Sequence, residues 1–373
     1  MATAPAADVF SRCLAAAVRG LSGAWYGRHM AAAERAIGAR IPLVDLVLEV
    51  RDARVPATSA FEPLRRRSPE GPDMRRLIAL NKADLADPSE TEKWLAFMKR
   101  RGSSCVAVNS HSGESIKELL NAVLGRIREI KHGVSNCTGT VLLVGIPNVG
   151  KSAIINAMHQ IGRIGAAEKG KLKHAIVSSH PGETRDISGY KVASHPNIYV
   201  LDTPGVLSPI LSEDESGPRL VLTGAIKDSL LEEYEIAQFL LSVLNSRKEY
   251  REWEDLNILG NKSCFADALS TKSHHTKRQY SSDHTQDFIV RGVLQTLFET
   301  IATFQGDLGS ENDLRRLVEI QLTSLQNAFR LSAESNEVMS KCVAIKLLNL
   351  YRTGRLGHYT LDHVPDVRQE VAA

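Results

Sequence analysis

The chain has few cysteines for its length, no long apolar run and no large excess of either charge. Its 373 residues include five cysteines, which are far apart and form no Cys-x-x-Cys pair, and this argues against a disulfide framework or a structural zinc site. No stretch approaches the roughly 20 apolar residues that a membrane-spanning helix needs. We therefore expect a soluble protein of a reducing compartment, with no integral membrane span.

The charge balance and the overall composition are those of an ordinary globular protein. There are 46 basic and 43 acidic residues, for a net charge of +3, and so small an excess cannot identify a nucleic-acid binder. Hydrophobic residues make up 43% of the chain and charged residues 24%, which argues against a collagen, a coiled coil or a wholly disordered chain. The length suits about two domains.

Residues 1–24 are rich in alanine and carry Arg12 and Arg19 against the single acid Asp8. This composition is typical of an organellar presequence, and an amphipathic helix from Val9 onward would suit that role. The alternative, an alanine-rich terminus without a targeting function, stays open. The residues themselves leave the destination open between a mitochondrion, a plastid and the cytoplasm.

Beyond this segment, apolar runs of strand length alternate with amphipathic helical stretches, which is the pattern of a mostly parallel sheet covered on both faces. From about Gly217 onward only helical patterns remain, interrupted near residues 260–284 by a polar insertion without periodicity. We predict a presequence (1–24), an α/β domain (25–215) and a helical C-terminal domain (216–373). The predicted strands are Asp45–Val50, Arg76–Leu80, Cys105–Val108, Val141–Val144, Ile187–Val192 and Ile198–Leu201.

The strongest motif is Gly-Ile-Pro-Asn-Val-Gly-Lys-Ser at residues 145–152, between a strand and a helix. It matches the phosphate-binding loop, in which backbone N–H groups and the helix N-terminus face phosphate oxygens. Lys151 is expected to neutralise the β- and γ-phosphates and so to serve catalysis, while Ser152 binds Mg²⁺. The other nucleotide contacts in this loop are predicted at Pro147, Asn148, Val149, Gly150 and Ala153.

A second phosphate motif, Asp-Thr-Pro-Gly at residues 202–205, follows the last predicted strand. Together with a phosphate loop it predicts that Asp202 holds Mg²⁺ through water and that the Gly205 amide meets the γ-phosphate. Thr184 lies in a loop between the two motifs and is predicted to supply a second hydroxyl to Mg²⁺ during catalysis. A solvated loop threonine is the alternative for Thr184.

The sequence Asn-Lys-Ala-Asp at residues 81–84 predicts guanine as the base. Asp84 can accept hydrogen bonds from both the N1–H and the exocyclic amine of guanine, and a site built on such pairs rejects other bases by leaving buried groups unpaired. The stem of Lys82 is expected to cover one face of the base, and Asn81 to tie this loop to the phosphate loop. Ala83 completes the predicted GTP contacts of this motif.

Asn109 and Ser110 follow the next strand and are expected to offer a backbone amide to the guanine carbonyl oxygen. All these residues lie at carboxyl ends of strands, where open α/β sheets bind ligands. The base motif precedes the phosphate loop, which is the reverse of the order in Ras-like GTPases. We therefore predict a P-loop NTPase fold with a circularly permuted Ras-like GTPase domain on about six mostly parallel strands, followed by a small all-α domain.

With Asp-Ala-Arg at residues 52–54, this arrangement resembles the circularly permuted GTPases of the YlqF/RbgA type, called DAR GTPases in plants. Residues 25–30 (WYGRHM) look like the family's W-[FY]-P-G-H-M with Pro-Gly replaced, and residues 351–357 (YRTGRLG) look like its F-R-x-G-K-L-G. The resemblance implies a large-ribosomal-subunit assembly factor with a weak GTPase that the ribosomal particle stimulates. It also implies that the helical domain contacts ribosomal RNA, and the mitochondrial member is the best match.

The sequence lacks the catalytic glutamine of Ras-type enzymes. Val206 and Leu207 follow Gly205, where Ras-type enzymes keep a glutamine that orients water. The resemblance instead indicates His29, with a structural histidine as the alternative. Asn148 matches the position at which similar GTPases bind K⁺, and its alternative role is to stabilise the loop.

Two functions stay open: a GTP-hydrolysing switch, and a GTP-gated RNA- or ribosome-binding module in which turnover is incidental. A tRNA-modification GTPase would need a companion domain that this sequence lacks.

Overall fold

The computed structural model describes residues 7–21, 25–65, 75–132, 138–166, 187–194, 197–208, 216–247, 284–331 and 336–365. The chain divides into two compact units. The sheet unit comprises Ala17–Leu230 with Gly357–Ala373, and the helical unit comprises Met1–Ala16 with Leu231–Leu356. Thr184 and the insertion near residues 260–284 lie outside the described residues. No helix within the described ranges is long and apolar enough to cross a membrane.

The sheet unit is built on six strands in the order β3-β2-β1-β4-β6-β5. Every neighbouring pair is parallel except β5 and β6, which are antiparallel. The predicted mostly parallel sheet is therefore confirmed. The strands are β1 (Leu46–Asp52), β2 (Arg76–Asn81), β3 (Ser104–Val108), β4 (Thr138–Val144), β5 (Ser188–Ser194) and β6 (Asn197–Asp202).

The central strands are nearly continuous apolar runs because helices cover both faces of a parallel sheet. The charged residues Glu49, Arg51 and Asp52 of β1 are all buried, and Glu49 is fully so. Burial alone would raise the pKa of Glu49, but Arg51 and Arg76 lie beside the carboxylate and hold its pKa below the ordinary value. Arg51 Nε and Arg76 Nε each donate to it at 2.8 Å, so this charge is paired within the sheet.

Several helices of the sheet unit begin where the sequence supplies a cap. Asp87 accepts a hydrogen bond from the Glu90 amide at the start of α4, and Ser112 accepts one from the Ser115 amide at the start of α5, as is usual for these residue types. The described helices of this unit are α2 (Arg28–Arg40), α3 (Glu62–Arg65), α4 (Pro88–Arg100), α5 (Gly113–Ile130), α6 (Lys151–Ala166) and α7 (Ser216–Leu222).

The helical unit contains buried polar pairs as well as apolar contacts. Asn245 and Gln321 exchange two side-chain amide hydrogen bonds of 2.9 Å, which fixes two of its helices against each other. Its described helices are α8 (Glu233–Ser246), α9 (His284–Thr303), α10 (Glu311–Ala328) and α11 (Asn336–Arg352).

The sequence from about Gly217 onward, where we predicted only helices, has a break between α7 and α8. Gly224 adopts a φ of 80°, and the amides of Gly224 and Ala225 donate back to carbonyls of α7. This is the usual way in which a glycine ends a helix. Along the chain, the sheet unit gives way to the helical unit between Leu230 and Leu231, whereas the sequence pattern placed the domain boundary at 215/216.

The first helix, α1 (Ala7–Gly20), lies where we predicted a presequence. Its Phe10, Leu14 and Val18 side chains recur every fourth residue, on one helix face, and all three are buried. In the helical unit, the Arg315 guanidinium lies 5.6 Å from the centre of the Phe10 ring. A chain cleaved after residue 20 would lose these buried apolar contacts.

Candidate functional site

The carboxyl ends of the strands bring the predicted motifs to one edge of the sheet. Asp52, Asn81 and Val108 are neighbours in register at the ends of β1, β2 and β3. The phosphate loop follows β4, and Asp202 ends β6. Because ligands of open parallel sheets bind at this edge, the topology places the base motif and the phosphate motifs at a common site.

Glycine is required at two positions of the phosphate loop. Gly145 has a φ of 155°, and a Cβ there would lie 2.4 Å from the Val50 carbonyl oxygen. Gly150 has a φ of 95°, and a Cβ there would lie 2.2 Å from Asn81 Nδ2. The loop therefore approaches the neighbouring strand ends too closely for any side chain.

The Lys151 ammonium is folded into the phosphate loop. Lys151 is only 7% exposed, and its Nζ donates to the carbonyls of Gly145 at 3.1 Å and Ile146 at 2.8 Å. Burial lowers the pKa of Lys151 to about 8, an effect that the nearby Asp202 opposes. A triphosphate entering the loop would give this ammonium stronger, charged acceptors than the two carbonyls.

The Asp-Thr-Pro-Gly segment is anchored to the phosphate-loop strand. Thr203 Oγ1 donates to the Leu143 carbonyl at 2.6 Å. A Cβ on Gly205 would lie 2.7 Å from Pro147 Cα and 3.1 Å from Lys151 Nζ. The Gly205 backbone thus closes over the loop at the point where Lys151 lies.

Asp202 and Ser152 form an arrangement that suits Mg²⁺. The Ser152 hydroxyl donates to Asp202 Oδ2 at 3.1 Å. Within the part of the chain that the structure describes, the buried Oδ1 of Asp202 has no hydrogen-bond partner. Burial raises the pKa of Asp202, which Lys151 and Ser152 only partly oppose. An oxygen pair of this kind, with one buried carboxylate oxygen unused, fits a hard divalent cation.

Residues 81–84, which we call the base loop, are hydrogen-bonded to the phosphate loop through Asn81. Its Nδ2 donates to the Val149 carbonyl at 2.8 Å. Lys82 has a φ of 61°, and its Nζ lies 3.0 Å from Asp52 Oδ2. Asp84 is exposed within the short 3₁₀ helix Ala83–Leu85, so its carboxylate is accessible to a ligand.

The turn after β3 carries Asn109 and Ser110, both half-buried. The Asn109 amide donates to Ser115 Oγ at 2.9 Å, and Asn109 Oδ1 accepts from the His111 amide at 2.9 Å. The backbone of this turn is therefore fixed by its own side chains before any ligand arrives.

His29 is exposed in the first turn of α2. The next residue, Met30, accepts a hydrogen bond at Sδ from the Leu207 amide at 3.4 Å. Met30 also packs against the core cluster that includes Val206. The first turn of α2 thus lies beside the segment that follows Gly205.

Two contacts of the site are not apparent from the motifs. Asn148 has a φ of 59°, and its Nδ2 donates to the Gly224 carbonyl at 2.8 Å, which links the phosphate loop to the turn after α7. Arg54 NH2 donates to the neighbouring Thr223 carbonyl at 3.4 Å. Asn148 and Arg54 each lie in a motif of the sequence, but nothing in the sequence indicated that their partners are Gly224 and Thr223.

The other unpredicted feature is the segment 357–365, which we call the clasp. The Asp362 carboxylate accepts from the amides of Ala57 and Thr58 at 2.8 Å, from Thr58 Oγ1 at 2.7 Å and from Arg219 at 3.1 Å. The Leu361 amide donates to the Arg54 carbonyl at 2.7 Å. These bonds connect the clasp to the loop that follows β1 and, through Arg219, to α7.

Comparisons with known proteins agree with this chemistry. Residues 140–272 match a family model described as "50S ribosome-binding GTPase"; the match contains the phosphate loop and leaves out residues 81–84. "DAR GTPase 2, mitochondrial" of Arabidopsis thaliana is 51% identical over 91% of this chain and 90% of its own length. "Short integuments 2, mitochondrial" of the same plant is 41% identical over 93% and 90%.

Two further similarities have lower sequence identity. "Ribosome biogenesis GTPase A" of Bacillus cereus is 33% identical over 63% of this chain and 75% of its own length. Among solved structures, GNP-bound YlqF from T. maritima covers 88% of this chain and 98% of its own, with 22% identity and a TM-score of 0.39.

Proposed function

Because the chain belongs to the YlqF/RbgA-type family of ribosome biogenesis GTPases, which includes the plant DAR GTPases, we propose that it is a GTP-hydrolysing switch for large-subunit assembly in mitochondria. The observation that carries this proposal is the hydrogen-bonded contact between two loops at the carboxyl edge of the sheet. There the base loop is bonded to the phosphate loop through Asn81 and Val149, and Asp202 and Ser152 lie beside Lys151.

In this proposal the phosphate loop binds the β- and γ-phosphates through the backbone N–H groups of Asn148 to Ala153, while Pro147, which has no N–H, shapes the start of the loop. Lys151 turns from the loop carbonyls to the phosphates and offsets the charge that develops as the γ-phosphate leaves. The Gly205 amide, which lies close to Lys151, binds the γ-phosphate on its other side. These groups bind and orient the triphosphate for attack by water.

Mg²⁺ would neutralise phosphate charge, and the residues proposed to hold it are Ser152, Asp202 and Thr184. The unused, buried Oδ1 of Asp202 supports this assignment.

Guanine would be recognised by the Asp84 carboxylate, with the Lys82 stem covering one face of the base. Since the Asn109 amide is bonded to Ser115, we assign the amide that meets the guanine carbonyl to Ser110.

His29 is proposed to orient the attacking water, because Met30 brings its helix turn against Leu207, where a glutamine is missing. A His29→Ala variant should lose about a hundredfold in kcat, the usual contribution of a positioned proton acceptor, with the KM for GTP unchanged. Single-turnover hydrolysis with large subunits present would measure this.

The matched control is His132→Ala, which removes an exposed histidine from the turn that follows α5. Full turnover in the His29→Ala protein would remove this residue from the mechanism.

K⁺ is proposed to bind beside the phosphates through the side-chain oxygen of Asn148. The Asn148 Nδ2 is directed to the Gly224 carbonyl, which fixes the amide orientation. This bond equally supports the alternative role of Asn148, which is to stabilise the loop. Potassium that accelerates turnover where sodium does not would favour the first role, and equal rates in the two salts would favour the second.

The helical unit is proposed to contact ribosomal RNA. Some of its basic residues already have partners: Arg315 lies 3.1 Å from Glu311, and Lys341 lies 3.4 Å from Glu233. A solvated helix face is therefore the competing interpretation of this surface. The basic residues that we consider are Arg315, Arg316, Arg330, Lys341, Lys346, Arg352 and Arg355.

A mitochondrial location follows from the names of the two plant relatives and is supported by the basic, alanine-rich residues 1–24. The burial of Leu14 and Val18 in α1 leads us to propose that the helix stays with the folded protein, whatever part of the segment serves import.

The decisive experiment is GTP turnover by the full chain with and without purified large ribosomal subunits. A switch is expected to show strong stimulation, because a site without the glutamine is slow alone. Large subunits that bind the protein in a GTP-dependent manner without raising turnover would favour the second candidate, a GTP-gated binding module. A protein that neither binds GTP nor responds to subunits would contradict both.

A further inference from the structure

A buried carboxylate outside the proposed nucleotide contacts lies one strand away from the base loop. Asp52 ends β1, is a register neighbour of Asn81 and is 3% exposed. Its Oδ2 lies 3.0 Å from Lys82 Nζ. Since the Lys82 stem is proposed to cover the base, Asp52 would act on the bound guanine through Lys82 and not by direct contact.

Asp52 is itself held in a fixed orientation by Arg54. Arg54 Nε donates to Oδ1 at 2.9 Å, Arg54 NH2 to Oδ2 at 2.8 Å, and the Arg54 amide to Oδ1 at 3.0 Å. The Asp52 amide donates to Ser59 Oγ at 3.0 Å. Burial alone would raise the pKa of Asp52, but Arg54 and Lys82 hold it well below the ordinary value. The carboxylate is thus a rigid, ionised acceptor.

Lys82 is the flexible member of this set. Its backbone has a φ of 61°, a conformation that costs energy for a residue with a Cβ. Its long side chain has many rotamers in solution, and the ion pair with Asp52 selects those that bring Nζ back toward β1. With the ammonium fixed at Asp52, the aliphatic stem is held between the base loop and the end of β1.

We propose that Asp52 is a positioning residue of the guanine site, which holds the Lys82 ammonium so that the Lys82 stem forms a ready apolar face for the base. This inference rests on the proposed GTP-binding function. It assigns a role to the first residue of the Asp-Ala-Arg motif, whose arginine orients that aspartate through a two-pronged hydrogen bond. The Lys82 side chain thus loses its conformational entropy when the protein folds, and nucleotide binding does not have to supply that free energy.

The chain offers a matched control on the same strand. Glu49 is also a fully buried carboxylate of β1, with Arg51 and Arg76 as ion-pair partners. Among the described residues, the Glu49 carboxylate accepts hydrogen bonds from Arg51, Arg76 and the Phe61 amide, none of which belongs to the base loop. Loss of charge at Glu49 and at Asp52 should therefore affect stability alike, but only Asp52 should affect the nucleotide.

The experiment compares Asp52→Asn, Glu49→Gln and the wild type in the full chain. Calorimetry measures the Kd for GTP, competition measures the Kd for Mg²⁺-tripolyphosphate as a probe without a base, and turnover at saturating GTP measures kcat. For Asp52→Asn we expect the Kd for GTP to rise about tenfold, the effect of losing one charged hydrogen bond, with tripolyphosphate binding and kcat unchanged. Glu49→Gln should leave all three values as in the wild type.

Wild-type affinity for GTP in a folded Asp52→Asn protein would overturn the inference, as would an equal loss of affinity for tripolyphosphate. If Asp52→Asn fails to fold because Arg54 is left buried and unpaired, the Asp52→Asn, Arg54→Met double variant removes both charges and leaves Lys82 unpositioned. A Lys82→Met protein, which keeps the Asp52–Arg54 pair, must also lose GTP affinity, and wild-type binding by it would overturn the inference. Failure of the wild type to bind GTP would instead contradict the proposed function.

Discussion

Replacement of Lys151 by alanine is expected to weaken GTP binding by about a hundredfold, which corresponds to losing a charged hydrogen bond at the upper end of the usual range. The fold should survive, because the Lys151 ammonium is buried against two neutral carbonyls and burial already disfavours its charge. Calorimetric titration with GTP and Mg²⁺, together with thermal unfolding, would measure both effects. Lys93→Ala, at a lysine whose side chain is 60% exposed on α4, is the control.

The same lysine predicts how GTP affinity varies with pH. The pKa of Lys151 is about 8 without ligand, and phosphates would raise it. GTP binding is therefore strongest below pH 8, where the Lys151 ammonium is already formed in the free protein. The affinity falls as the pH rises from the pKa of Lys151 in the free protein to its higher pKa in the complex. The Lys151→Ala protein should lack this dependence. Undiminished GTP affinity in that variant would contradict the assignment of the phosphate loop.

Replacement of Asp84 by asparagine is expected to exchange the preferred base. The carboxylate accepts two hydrogen bonds from guanine, whereas the asparagine NH₂ would face the guanine amine, donor against donor. With two charged hydrogen bonds lost, the Kd for GTP should rise about a thousandfold. Xanthosine triphosphate has a carbonyl in place of the amine and should bind the variant better than GTP does.

Asp84 is exposed, so its substitution should leave the melting temperature unchanged. Glu92→Gln, which exchanges an exposed carboxylate for an amide on α4, controls for the change of surface charge. Competition between the two triphosphates for the variant would measure the exchange directly. A variant that still prefers GTP would show that the base is read elsewhere.

The six strands could be predicted from the sequence because each contains a short run rich in apolar residues, which is almost wholly buried in β1 and β2 and buried at alternate positions in β6. Their observed bounds differ from the expected ones by only a few residues. The phosphate loop was equally clear, since Gly145 and Gly150 have backbone geometry that other residues do not tolerate. The family resemblance, drawn from a few short motifs, is confirmed by relatives that cover about nine-tenths of the chain.

The remaining features depend on contacts between distant residues. The Asp52–Lys82 pair follows from the register of β1 on β2, which no local pattern encodes. The break after α7 depends on Gly224, whose carbonyl is bound by Asn148. The apolar face of α1 was visible in the sequence, but its burial as part of the folded protein was not. Each of these is a tertiary effect that overrides a reasonable local interpretation.

The clasp has a consequence for how the protein is made. The amide of Thr58 and the carboxylate of Asp362 are separated by 304 positions. The loop after β1 therefore cannot form its hydrogen bonds to Asp362 until the intervening helical unit has been synthesised. Contacts of such long range form late in folding. The nucleotide-binding unit should therefore acquire its final stability after the helical unit has emerged, and a fragment that stops at Leu230 should be a less stable, more easily digested version of it.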